Sequence, residues 1–116
     1  MELVALLSTG KGTWGQVSGL LSRGEWENII LVGEDFVKQR FQAPNAEFVT
    51  VDFSQNITAV IEDLIAKLKP RIHGTEVALS IASGEGKEHM ALISALLRIP
   101  VGVKFVVLTK DGVILL

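Results

Sequence analysis

The 116-residue chain contains no cysteine, which excludes disulfide bridges and thiolate zinc sites. Its two histidines, His73 and His89, are too few and too far apart to build a histidine metal site by themselves. The expectation is no metal and no resident cofactor. No stretch approaches the roughly 20 consecutive apolar residues of a membrane-spanning helix, and Met-Glu-Leu-Val opens the chain without the basic segment of an export signal. A cytoplasmic protein without a membrane partner is expected. Positive charge is also in short supply. Eleven Lys plus Arg against thirteen Asp plus Glu give a net charge of -2. No domain-wide positive field is available to hold duplex nucleic acid, so any anion site must be local. Aromatic residues make up only 6% of a chain that is 48% hydrophobic. The interior must therefore be Val, Ile, Leu and Ala, the filling of parallel strands covered on both faces.

Those residues fall in short apolar runs separated by helical periodicity. Strands are expected at 2–7, 27–32, 47–51, 75–82 and 103–108. Between the first two, Thr13-Trp14-Gly15-Gln16 has capping-box spacing, Val17, Leu20 and Leu21 line one helix face, and Gly24 suits a left-handed cap. A short helix over 34–41 leads through Pro44 to the third strand. Ile57, Val60, Ile61, Leu64, Ile65 and Leu68 mark a longer helix, stopped by Pro70. The fourth helix spans 87–99, with Met90, Ile93, Leu96 and Leu97 read as its core face. Asp111-Gly112 predicts a hairpin into a last strand at 113–116.

Alternating strands and helices with right-handed crossovers give an α/β fold. We expect one domain over residues 1–116, with a Rossmann-like, doubly wound, mainly parallel six-stranded sheet of order 3-2-1-4-5-6. The last strand is antiparallel. In that order the winding reverses between strands 1 and 4, opening a ligand crevice at their carboxyl ends.

The loops at the crevice carry the chemistry. Gly10-Lys11-Gly12-Thr13-Trp14-Gly15 matches G-x-G-x-x-G between a strand and a helix, where backbone amides can face phosphate. Glu34-Asp35 follows about 20 residues later, where a dinucleotide-binding protein would hold ribose hydroxyls. The lesser alternative is that the glycines only make a tight turn and let the helix pack. Trp14 either stacks on a base or staples the first helix. The second loop, Ser83-Gly84-Glu85-Gly86-Lys87-Glu88-His89-Met90, again sets glycines, a hydroxyl and a cation where a strand hands over to a helix. It is not a nucleotide-triphosphate loop, since Ile81 and Glu88 stand where Gly and Ser or Thr are needed. Lys87 would sit in a first helical turn, where positive charge is unfavourable unless an anion compensates it. His89 is either a surface residue or a proton donor or base.

At these loops the chain resembles the CARF family, the CRISPR-associated Rossmann fold domains that sense cyclic oligoadenylates in type III CRISPR antiviral immunity. Leu3-Val4-Ala5-Leu6-Leu7-Ser8-Thr9-Gly10 is similar to the family's opening strand and Gly-Thr/Ser loop, with Ser8 where Gly is common. Residues 83–90 resemble its Thr-Gly-Gly-Thr-Lys-Pro-Met loop, with one extra residue and Glu88-His89 in place of Pro. Residues 103–116 look like its closing strands.

The resemblance implies a homodimer around a ring-shaped cyclic oligoadenylate. Ser8, Thr9, Gly10, Lys11, Gly12 and Trp14 would contact the ligand from one loop, and Ser83, Gly84, Gly86 and Lys87 from the other. Such domains either sense, passing the signal to an attached or separate effector, or act as metal-independent ring nucleases. In cleavage the ligand's 2′-hydroxyl attacks the adjacent phosphate. Lys87 would then stabilise charge, Ser8 or Thr9 would position the ring, and His89 would protonate the leaving group. A dinucleotide-binding regulatory domain is the remaining reading.

Overall fold

Residues 2–6 are apolar without alternation apart from the leading glutamate, and in the computed structural model, which describes residues 1–9 and 13–116, they form a strand, β1 (Glu2–Leu6), buried at every position. β2 (Asn28–Gly33) and β4 (Glu76–Ser80) flank it in parallel, with Val4 opposite Ile30 on one side and Leu79 on the other. β3 (Glu47–Thr50) pairs with β2, β5 (Gly102–Thr109) pairs with β4, and β6 (Gly112–Leu115) closes an antiparallel hairpin with β5. The order is β3-β2-β1-β4-β5-β6, as the crossover rule predicts.

Side-chain alternation along these strands feeds two cores. On one face Val4, Leu6, Ile30, Val32, Val77 and Leu79 pack against α3 (Ile57–Leu68) and α4 (Gly86–Arg98). α3 contributes Val60, Leu64 and Leu68, and α4 contributes Ala91, Leu92, Ala95 and Leu96. On the other face Leu3, Ala5, Leu31, Ala78 and Val106 meet α1 (Trp14–Arg23) and α2 (Asp35–Arg40) through Val17, Leu20 and Val37. Fully burying one such Leu or Val is worth about 1.5–3 kcal/mol. No described helix is long and apolar enough to cross a membrane.

Three local expectations are corrected. The Thr13 side chain makes no cap bond at the head of α1. Gln16 turns instead to β5, donating from Nε2 to the Leu108 carbonyl at 3.1 Å and accepting the Leu108 N–H at 2.5 Å. β4 pairs with β5 only as far as Phe105, so the β5 backbone beyond it lacks a parallel neighbour, and a side-chain amide offers both a donor and an acceptor. Gly24 is extended (φ -88, ψ 156) rather than left-handed. Its lack of a side chain is needed because the Trp26 indole lies where a Cβ would come within 2.3 Å. Met90 and Leu97, expected in the core, are 62% and 59% exposed. The helix rolls so that the smaller Ala91 and Ala95 face the sheet beside Leu92 and Leu96.

Candidate functional site

β1 and β4 end side by side, and one buried hydrogen bond joins the segments that follow them. The Ser8 N–H donates to Ser83 Oγ at 2.9 Å, with Ser8 5% exposed and Ser83 fully buried. The Ser8 hydroxyl donates to Glu88 Oε2 at 2.9 Å, and Glu88 Oε1 accepts the Glu85 N–H at 2.8 Å. Glu85 and Glu88 thereby form a capping box over the first turn of α4. The Glu88 carboxylate thus supplies the negative charge that a helix N-terminus favours. His89 Nε2 lies 2.8 Å from the Ser83 carbonyl oxygen, which can only accept, so Nε2 carries the proton. In the neutral ring Nδ1 is the basic nitrogen.

Gly84 is the hinge of this arrangement. Its φ is +97, and a Cβ there would lie 2.6 Å from Leu6 Cδ2 and 2.9 Å from Glu88 Oε1. Gly86, two residues on, is exposed, and a Cβ would meet no described residue within 4 Å. Among the described residues, then, nothing crowds the first residue of α4.

The predicted site residues separate into groups. Ser8, Ser83, Gly84 and His89 converge in one network, and the exposed Thr9 and Gly86 stand at its rim. Lys87 turns away from it. Its ammonium donates to the carbonyls of Phe53 at 2.9 Å and Gln55 at 2.5 Å, so the β3–α3 loop occupies two of its three donors. Asp52 stands nearby. The Ser54 hydroxyl and N–H, with the Lys87 charge as a lesser contribution, hold its carboxyl below the usual value. Trp14 donates from Nε1 to the Ser8 carbonyl at 2.7 Å and sets its ring edge-on to Phe41, centroids 6.0 Å apart. That is the stapling role rather than a free stacking platform. Gly10, Lys11 and Gly12 lie outside the described residues.

Two features escaped sequence reasoning. The role of Glu88 was signalled only by its three-residue spacing from Glu85, and Glu is not a typical capping residue. Ser80 Oγ, buried at the end of β4, finds no partner among the described residues, and a single serine in an apolar strand announces nothing.

Glu34 and Asp35 lie apart, at the carboxyl ends of β2 and β3. With Asp52, Gln55, Asp63 and Lys67 they line an open cleft of about 690 Å³. Lys67 there is committed to the Thr50 carbonyl at 2.7 Å and Asp63 at 2.9 Å. Among the described residues no cluster of His, Asp or Glu is arranged to hold a metal ion. The chain matches no family model, no curated protein and no solved structure.

Proposed function

We propose that the chain binds a cyclic oligoadenylate at the crevice where β1 and β4 end, acting as a dimeric sensor of the CARF kind that signals to an attached or separate effector. The observation that carries this reading is the Ser8–Ser83 bond. It ties the ends of β1 and β4 into one buried unit beneath a polar rim, so a ligand at either loop is felt at both. No described residue crowds Gly86, which leaves the first backbone amides of α4 accessible to a phosphate among the described residues.

Sensing ranks above cleavage because the two groups that would supply the charge and the proton, Lys87 and His89, are engaged in the protein itself. Cleavage forms a bond from the 2′-oxygen to phosphorus and expels the 5′-oxygen, which needs a cation at the phosphate and a proton at the leaving group. Lys87 spends two donors on carbonyls, and the His89 Nε2 proton on the Ser83 carbonyl. Metal-independent ring nuclease activity is the alternative. A dinucleotide reading draws on the cleft beside Glu34 and Asp35, placed as a ribose site would be.

Incubation with cyclic tetra-adenylate and hexa-adenylate, followed by chromatographic separation, tests the order. Bound intact ring supports the sensor, linear product supports the nuclease, and no binding overturns both. An NADH fluorescence change abolished by Glu34→Ala would establish the dinucleotide reading instead.

A further inference from the structure

We propose that the hollow between α2 and β3, on the α1 side of the sheet, binds a small organic acid, with the carboxylate on Lys38 and the apolar body between Phe41 and Phe48. This site is independent of the cyclic oligoadenylate reading, which concerns the loops after β1 and β4. The hollow follows from residue size. α2 stops after six residues at Arg40, and the chain reaches β3 through an extended segment with alanine at positions 43 and 46. The Ala46 N–H donates to the Ala43 carbonyl at 3.1 Å, closing a turn over Pro44 and Asn45. Ala43 and Ala46 pack toward the sheet, but one-carbon side chains fill little space there. A hollow of about 260 Å³ is left, lined by both alanines with Leu31, Lys38, Phe41 and Phe48. Leu31 is 1% exposed, so the floor of the hollow is the core itself.

Its aromatic walls are held from outside. Phe41 lies edge-on to Trp14, centroids 6.0 Å apart, and Trp14 is anchored to the Ser8 carbonyl. Phe48 stands opposite Leu31 in the β2–β3 register, and its ring tip lies 3.2 Å from where a Cβ on Gly33 would be. Neither ring has to move for the space to exist, so a ligand can enter with little reordering of the protein.

Charge selects the occupant. Among the described residues that line the hollow, Lys38 is charged and no carboxylate is present. Lys67 and Lys87 are committed to backbone carbonyls. Lys38, exposed in the last turn of α2, has neither an ion-pair nor a hydrogen-bond partner among the described residues. An ammonium at the mouth of an apolar hollow attracts a negative head group and repels an amine, while the walls favour hydrocarbon behind that head group. Two phenyl walls suit a flat ring, which packs against them edge-on or offset. The volume is just under the roughly 300 Å³ at which ligand sites begin, so one ring or a short branched chain fills it. A cyclic oligoadenylate or a dinucleotide is too large for it. The cleft lined by Glu34, Asp35, Asp52 and Asp63 has the opposite charge and would repel the same acid.

Phenylpropionate, phenylpropanol and phenylpropylamine share one apolar body and differ in head-group charge at neutral pH. Titrating each into isotope-labelled protein, with backbone amide shifts followed by NMR, tests the site. The acid should bind with a dissociation constant of about 1 mM or tighter, at least ~10-fold better than the amine, and should move amides at residues 31, 38 and 41–48. Lys38→Glu, at an exposed position, should reverse the order of acid and amine, and Lys38→Gln should bring them level. Ala46→Leu, which puts a larger side chain into the hollow, should lose all three ligands with the circular dichroism unchanged. Should Ala46→Leu fail to fold, the Lys38→Glu reversal decides alone. An acid no tighter than the amine, an order that survives Lys38→Glu, shifts confined to residues 83–90, or no shift with any of the three overturns the proposal.

Discussion

The Ser8 amide and the Ser83 hydroxyl, 75 residues apart in sequence, meet at 2.9 Å in the buried crevice between β1 and β4. β1 has run out of strand partners there. Its pairing with β4 ends at Ala5 opposite Ser80, and the last β2 carbonyl it uses takes the Leu7 N–H. Ser83 therefore satisfies a donor that would otherwise be orphaned. Ser83→Ala should cost about 1–3 kcal/mol, the penalty of an unpaired buried N–H. Thermal denaturation should register a fall of about 4 °C per kcal/mol, and an unchanged midpoint would mean that the bond contributes nothing.

The two glycines of the second loop should respond oppositely to alanine. Gly84→Ala forces a left-handed φ and a clash with Leu6, so a loss of about 2–3 kcal/mol is expected in urea unfolding. Gly86→Ala meets no described residue at a helix start, and its stability should be unchanged or higher by up to about 1 kcal/mol. If cyclic oligoadenylate approaches the backbone there, the same substitution should weaken ring binding by about 10-fold or more in a titration. Equal affinity with and without the methyl group would move the ligand away from α4.

The sheet order was legible because it depends on coarse signals: apolar runs, helical periodicity and turn residues repeated along the whole chain. The hairpin at Asp111-Gly112 was legible for the same reason. Gln16, Gly24 and Lys87 were misjudged or left open because each answers to a partner distant in sequence. Leu108, the Trp26 indole and the Phe53 and Gln55 carbonyls cannot be paired with them from local spacing. Met90 and Leu97 fit the helical period as well as Leu92 and Leu96 do, and only the sheet's position decides which stripe is buried. The loops were found as places, but the bond between them was not.

Lys87 links the site to its neighbourhood, and its removal should loosen that neighbourhood first. Lys87→Ala leaves the Phe53 and Gln55 carbonyls to water, so hydrogen exchange should accelerate at amides in the 53–56 segment. The side chain is exposed, and the global cost should stay at or below about 1 kcal/mol. Uniform exchange across the chain after the substitution would show that the lysine does not hold the loop.

Glu2 anchors the opposite end of the sheet and should make stability depend on acid. Burial pushes its carboxyl up, but bonds from the Asn28 side chain and the Gly74 and His73 N–H groups, with the His73 charge, outweigh this and hold it below its ordinary value of 4.5. A carboxyl depressed in the folded state contributes stability that is present above its unfolded value and lost as pH falls through the folded one. The wild type should therefore lose stability as pH drops below 4.5. Glu2→Gln, which keeps the shape but not the charge, should cost about 1–2 kcal/mol at neutral pH. The gap between the two proteins should narrow as pH falls below 4.5 and close once the wild-type carboxyl is protonated. Urea unfolding from pH 7 down to about pH 3 measures both curves, and a constant gap over that range would show that the Glu2 charge plays no part.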